Sequence, residues 1–367
     1  MLKHLVTVCF IFCSIGAHAI TIVESFYYKI NGVQIFNFDK EYRYNLDNYF
    51  SSLKSSNVNT IFVRVFQNST DRVHFDEQNK CASGVYFKSK IACNVFDLLD
   101  LIIPYAKKYD IKVFAWMATR SLSFLKETHK LELEFRNGNI QNGYGVNIFD
   151  KDARNSLIEL FRELAMYDID GILIQDDFIL RMNEGLSDLS KTRYYVDYGK
   201  LPDNKDDDWF KWKLSNLSGF LDKLRYETKK INPKIKFAVN IYYETPVYPE
   251  KGLKWYAQSI EQYKKLDFSY FAVMAYHEQI MGELKINFQD TLSYLNEMLN
   301  KMSKMLLPEN IVVKIQVREF NNEKTKISKY RIDKVCELIK NYNAGIVLVP
   351  FENLSDLKNN CFSEGKI

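Results

Sequence analysis

Two adjacent acids close one apolar run of this sequence: Asp170-Gly171-Ile172-Leu173-Ile174-Gln175-Asp176-Asp177. A strand of that composition is buried, so a carboxyl group at its tip sits above apolar side chains. Desolvation raises a carboxyl pKa, and a neighbouring carboxylate raises it further. A carboxyl that keeps its proton near neutral pH is what general-acid catalysis requires. Alternation along a strand sends Asp176 and Asp177 to opposite sides and puts Leu173, Gln175 and Asp177 on one face. With that face taken as inward, Asp177 is the preferred acid and Asp176 its partner.

Other apolar runs end in compatible groups. Met274-Ala275-Tyr276-His277-Glu278 offers Glu278 as a second carboxylate and Tyr276 as a hydrogen-bond donor. Asn240 lies in a run that ends at Tyr242, Tyr243 and Glu244, Trp116 lies near the end of another, and Arg64 lies in a third. A buried Arg64 needs a carboxylate partner, for which Asp170 and Glu24 are the candidates. Acids with Trp and Tyr around one cleft suit a sugar: rings stack on the apolar faces of pyranoses, and carboxylates grip hydroxyls or amines. Competing chemistries lack their signatures. His74, His129 and His277 are far apart in sequence and the cysteines show no C-x₂-C spacing, so no metal site and no cofactor is expected. Nucleophile-elbow, phosphate-loop and dinucleotide motifs do not occur. The acidic run at 203–208 lacks the alternating spacing of a calcium loop and reads as a solvated loop and helix start.

The scaffold that must position these groups follows from periodicity. Apolar, β-branched or aromatic runs occupy 22–28, 60–66, 112–117, 171–176, 235–243, 269–276, 311–317 and 345–350. Most are apolar on both faces, as parallel strands covered by helices are. Helical periodicity fills 152–167, 209–230, 289–304 and 329–341 between them. Eight strand-then-helix units define the α/β class and a closed (β/α)₈ TIM barrel. Links from helix to strand are short, whereas 67–94, 118–149 and 178–208, each following a strand, are long. Long loops therefore gather at the C-terminal face, where such barrels place their active sites.

Composition sets the setting. The 367 residues are 47% hydrophobic and 26% charged, which is globular. A net charge of +4 without a Lys/Arg stripe makes nucleic acid a poor partner. Residues 1–19 have a basic start, an apolar core and Ala17-His18-Ala19, the pattern of a secretory signal peptide. The expected product is a single barrel domain over 20–367, secreted or periplasmic after cleavage near Ala19. No later apolar run reaches the roughly 18 residues of a membrane span. Cys81, Cys93, Cys336 and Cys361 remain, and an exported protein permits disulfides; the local pairs 81–93 and 336–361 are the expectation.

With these residues in view, the chain resembles the C-terminal glycoside-hydrolase domain of the bacterial exported poly-β-1,6-N-acetylglucosamine deacetylases. The matching stretches are Val58-Asn59-Thr60, Gly84-Val85-Tyr86-Phe87, Val113-Phe114-Ala115-Trp116-Met117, Phe149-Asp150, Asp170-Gly171-Ile172-Leu173 with Asp176-Asp177, the segment 236–240 and Val273-Met274-Ala275. The resemblance implies a barrel that cleaves partially de-N-acetylated poly-glucosamine, with Asp176 and Asp177 in the catalytic positions. The fourth-strand segment is also similar to the Asp-Gly-x-Asp-x-Asp-x-Glu motif of family-18 chitinases. There Asp177 falls where the chitinase acid stands, and Leu173 and Gln175 replace two acids. Gln175 still hydrogen-bonds an acetamido group but carries no charge. The deacetylases carry a His-rich metal-dependent domain that His74, His129 and His277 do not reproduce, so no deacetylase activity is expected.

The expected function is an exported glycoside hydrolase acting on a β-linked amino-sugar polysaccharide. Asp177, Asp176 and Glu278 carry the chemistry; Asp170, Gln175, Trp116, Asn240, Tyr276, Arg64 and Tyr86 contact substrate. Two alternatives stand beside it: a non-catalytic polysaccharide-binding or export module of the same fold, and a chitinase-like hydrolase of another glycan.

Overall fold

A computed structural model describes residues 28–38, 40–72, 74–75, 81–203, 205–320 and 325–363. The expected signal peptide and all but the last residue of the run at 22–28 lie outside them. The first barrel strand is instead β1 (Asn31–Ile35). Its Gly32 and Gln34 alternate with apolar residues, which leaves no apolar run to read in the sequence. The other seven strands fall where expected: β2 (Thr60–Arg64), β3 (Lys112–Met117), β4 (Gly171–Ile174), β5 (Lys236–Tyr242), β6 (Tyr270–Met274), β7 (Ile311–Gln316) and β8 (Gly345–Val349). They pair in parallel in chain order, and β8 returns to β1 to close an eight-stranded barrel.

Burial on both faces follows from this closure. One set of side chains fills the barrel, including Phe62, Phe114, Trp116, Leu173, Tyr270 and Val312. The alternate set packs outward against α1 (Leu46–Ser55), α2 (Leu98–Lys108), α3 (Lys151–Leu164), α4 (Asp207–Ile231), α5 (Ile260–Lys264), α6 (Phe288–Met305) and α7 (Lys329–Lys340). Helix α3 shows the local logic. The Asp150 carboxylate accepts the free amides of Asp152 and Ala153, and Leu157, Leu160, Phe161 and Leu164 turn one apolar stripe inward. Each such buried side chain contributes roughly 1.5–3 kcal/mol. At the start of β4, a Cβ on Gly171 would meet the Phe114 ring and lie 2.7 Å from the Lys236 carbonyl oxygen. Glycine there lets the interior ring close onto the strand.

The long loops are themselves structured. After β2, Phe66–Gln67 pairs with Gly84–Val85, and Cys81 is bonded to Cys93. After β3, Leu131–Arg136 and Asn139–Val146 form an antiparallel hairpin. Its turn residues Asn137 and Gly138 have φ of 53° and 83°, the left-handed pair that a tight hairpin needs. After β4, helix Asp188–Tyr198 packs behind that hairpin, where Ser187 and Ser190 both donate to Glu132. Cys336 on α7 is bonded to Cys361. Among the described residues no helix is long and apolar enough to cross a membrane.

Candidate active site

Strand β4 ends at Ile174, and Asp176 and Asp177 occupy the turn that follows. Strict alternation therefore stops before the acids, and the inward placement expected of Asp177 is corrected. Its carboxylate turns toward the segment after β3. Thr119 N–H lies 2.8 Å from Oδ2 and its hydroxyl 2.8 Å from Oδ1. Ser121 N–H and Oγ are each 2.8 Å from Oδ2. Asp177 is buried and saturated with donors, so it ties two loops together.

Asp176 faces the other way. It lines a cavity of about 110 Å³ at the C-terminal ends of the strands, together with Tyr242, Glu244, Tyr256, Tyr276 and Glu283. Burial pushes its carboxyl above the usual range; Lys314 opposes that rise and Asp177 adds to it. The hydroxyl of Tyr242 donates to the Asp176 carbonyl oxygen at 3.3 Å. Tyr242 in turn stacks on Tyr256, with centroids 3.9 Å apart and planes 8° apart.

Glu244 follows β5 directly and was visible in the sequence only as the end of that run. Its Oε1 accepts the Tyr256 hydroxyl at 3.0 Å, while the buried Oε2 has no hydrogen-bond partner among the described residues. Burial raises the Glu244 pKa also. Beside it, the Tyr243 hydroxyl and Gln279 Nε2 hold the two oxygens of Glu283 at 2.6 and 2.7 Å. Gln279 also lines an adjoining cleft of about 550 Å³ with Glu278, Gln316, Glu319 and Phe320. One continuous rim thus carries several carboxylates and aromatic rings.

A buried cation lies beneath this rim. Lys314, on β7, donates from Nζ to Asn240 Oδ1 at 2.9 Å across the barrel interior. Burial pushes its ammonium down to about 7, against the pull of Asp176. The sequence signal is a lysine in the middle of Ile311-Val312-Val313-Lys314-Ile315, masked by a run that reads as an apolar strand.

The remaining expected residues divide. Tyr276 lines the cavity with its ring edge-on to Phe320, 4.8 Å between centroids. Trp116 lies inside the barrel against Phe36, at 4.8 Å, and its Nε1 has no partner among the described residues. Gln175 stands beside Asp176 with a buried Oε1 likewise unpartnered. Glu278 does not line the cavity of Asp176; both its oxygens accept from Arg331 Nη1, at 2.9 and 2.8 Å. Arg64 pairs with Asp71 at 3.3 Å. Glu24 lies outside the described residues, and Asp170 sits at the amino end of β4. There Asp170 accepts the Val113 amide at 2.9 Å and faces Lys112. Six residues of extended chain put Asp170 about 20 Å from Asp176 along the strand, so it does not reach the cavity. Tyr86 is buried in the loop after β2, its hydroxyl donating to Gln67 Oε1 at 3.0 Å. Its place is in packing that loop, away from the cavity.

This architecture recurs in solved structures. The PgaB (BpsB) glycoside hydrolase domain from Bordetella bronchiseptica superposes with a TM-score of 0.71 at 18% identity, covering 90% of this chain and 96% of that one. The catalytic domain of a β-amylase from Paenibacillus polymyxa gives 0.57 at 12% identity, covering 92% and 95%. A cold-adapted β-galactosidase from Rahnella sp. R3 gives 0.58 at 12%, covering 89% of this chain and 50% of that one. These likenesses concern the fold. No curated protein matches the sequence significantly. The family model described as hypothetical glycosyl hydrolase family 13 matches residues 34–350, from within β1 to just past β8, and the chain belongs to that family of glycoside hydrolases.

Proposed function

We propose that this glycoside hydrolase cleaves a β-linked amino-sugar polymer, specifically partially de-N-acetylated poly-β-1,6-N-acetylglucosamine, with Asp176 as proton donor. The observation that carries this reading is the placement of Asp176: a desolvated carboxyl in a tyrosine-lined cavity at the C-terminal face. Its protonated form gives the proton to the glycosidic oxygen as the bond from that oxygen to C1 breaks. Glu244, in the same cavity with one oxygen free of donors among the described residues, is the second carboxylate, stabilising the oxocarbenium-like transition state or activating water. Tyr242 and Tyr276 offer ring faces and hydroxyls to the sugar. Asp177 serves by fixing the turn that presents Asp176, in place of the acid role that alternation suggested.

The substrate class rests on two supports. The rim carries Glu244, Glu283, Glu278 and Glu319, which suits the ammonium of a deacetylated glucosamine unit. The sequence resembles the hydrolase domain of the poly-β-1,6-N-acetylglucosamine deacetylases, and the fold is similar to that of the PgaB domain. The basic and apolar N-terminal segment supports export.

The test is a product analysis by mass spectrometry after incubation with partially deacetylated polymer, fully acetylated polymer and chitin. Oligosaccharides from the partially deacetylated polymer are the expected result. Cleavage of chitin alone would make the protein a chitinase-like hydrolase. Retention of the polymer on a column with no products from any substrate would make it a binding module.

A further inference from the structure

A buried lysine inside a barrel that packs mainly aromatic and aliphatic side chains demands an account. Desolvating an ammonium costs several kcal/mol unless an opposite charge and hydrogen bonds compensate. Among the described residues Lys314 has one hydrogen bond, to Asn240 on β5, and that acceptor is neutral. Gln34 on β1 and the apolar Phe62, Leu173, Val312 and Val347 line the same interior pocket, and the Tyr276 ring centroid lies 5.7 Å from Nζ. Lys314 lies in register beside Met274, which with Tyr276 lines the cavity of Asp176, and among the described residues Asp176 is the carboxylate that acts on it. Viewed from Asp176, the facing charged and titratable groups are Lys314 from β7, Asp177 next in the chain, Arg181 from the loop after β4, the tyrosines 144, 242 and 276, and, lining the same cavity, Tyr243, Glu244, Tyr256 and Glu283. Arg181 is also engaged elsewhere, with its guanidinium 4.5 Å over the Tyr144 ring. Lys314 is therefore the cation on the inner side of Asp176, held there by Asn240.

We infer that Lys314 is the positioning residue for Asp176: an ammonium fixed by Asn240 under the cavity floor, whose charge sets the pH at which Asp176 gives up its proton. The inference rests on the reading of Asp176 as the proton donor. It assigns Asn240 the task of aiming Lys314, in place of the substrate contact expected from sequence. It also explains why a hydrophobic barrel tolerates the charge, since groups with shifted proton affinity are retained where chemistry needs them.

The experiment is the pH profile of kcat on partially deacetylated polymer for the wild type, Lys314→Met and Lys314→Gln, with Asp176→Asn alongside and thermal melts for all. Loss of an opposite charge raises a carboxyl pKa by about one unit or more. Activity requires protonated Asp176, so in both neutral variants the alkaline limb should move upward by about one pH unit, even if the plateau falls. Lys314→Gln keeps a donor for Asn240 and carries the readout if the methionine variant does not fold. A limb that stays in place while Asp176→Asn is inactive would overturn the role of Lys314 and leave the proton donor intact. An active Asp176→Asn would overturn the proton-donor reading and the inference with it. Failure of both neutral variants to fold would make Lys314 a purely structural cation and would also overturn the inference.

Discussion

Thr119 grips both carboxylate oxygens of Asp177: its amide is 2.8 Å from Oδ2 and 3.1 Å from Oδ1, and its hydroxyl 2.8 Å from Oδ1. The consequence falls on the neighbouring residue. With Asp177 pinned to the segment after β3, the turn is fixed and Asp176 is left facing the cavity. Two adjacent, chemically identical side chains thereby acquire different environments, one tied into the loop after β3 and one lining the cavity.

The two acids should separate cleanly on substitution. Asp177→Ala strands two buried amides and two hydroxyls, and buried unpaired donors cost about 1–3 kcal/mol each without adding fully. A loss of about 3 kcal/mol or more in unfolding free energy is expected, read by denaturant titration. Asp176→Asn removes a carboxyl that burial disfavours in its charged form. It should match or exceed wild-type stability near neutral pH while losing turnover by 100-fold or more, the scale of general-acid catalysis.

Arg120 sits between the two residues that hold Asp177, and its side chain is fully buried. It donates from Nη2 to Glu184 Oε1 at 2.9 Å, from Nε to the Val146 carbonyl at 3.2 Å, and from Nη1 to the Ile179 carbonyl. It therefore bolts the hairpin and the loop after β4 to the segment carrying Thr119 and Ser121. Arg120→Met leaves the Glu184 carboxylate buried without its partner, a loss of about 3–5 kcal/mol. Thermal melting should show it, and kcat of the surviving folded fraction should fall because the turn carrying Asp176 is loosened.

His277 gives a pH dependence of stability with a definite sign. Burial holds the folded imidazole neutral with a pKa of about 3, against 6.5 unfolded. Between those values the unfolded chain binds a proton that the folded chain does not. The stabilisation is present above pH 6.5 and is lost as pH falls toward 3. From pH 6.5 to 4.5 the loss amounts to about 2 kcal/mol. His277→Gln should flatten that part of the stability profile; an unchanged slope would assign the acid sensitivity to other groups.

What could be read from the sequence follows from what periodicity encodes. Runs such as Lys112–Met117 are apolar on both faces and have no other stable environment than a covered parallel strand, so seven strands and the barrel were legible. β1 was not, because Gly32 and Gln34 interrupt its pattern. The hairpin after β3 carried a readable Asn137-Gly138 turn, but its burial is inverted: Glu132 and Glu134 are buried while Leu131 and Leu133 are half-exposed. A buried acid needs partners from elsewhere in the chain, such as Ser187 and Ser190 for Glu132, and no local pattern announces those. The same limit governs the site. The acid pair at the end of β4 was visible as a pair, yet which acid faced the cavity depended on Thr119 and Ser121, more than fifty residues earlier. Lys314 and Glu244 became recognisable only once the barrel brought β5 and β7 to the same mouth.

The most direct test of the central claim is the turnover of wild type, Asp176→Asn and Asp177→Asn on partially deacetylated poly-β-1,6-N-acetylglucosamine, followed by mass spectrometry under conditions where all three are folded. If Asp176 is the proton donor, the wild type releases oligosaccharides, Asp176→Asn binds the polymer and releases none, and Asp177→Asn retains measurable turnover. Products from Asp176→Asn at the wild-type rate, with none from folded Asp177→Asn, would contradict the account and return the acid to Asp177.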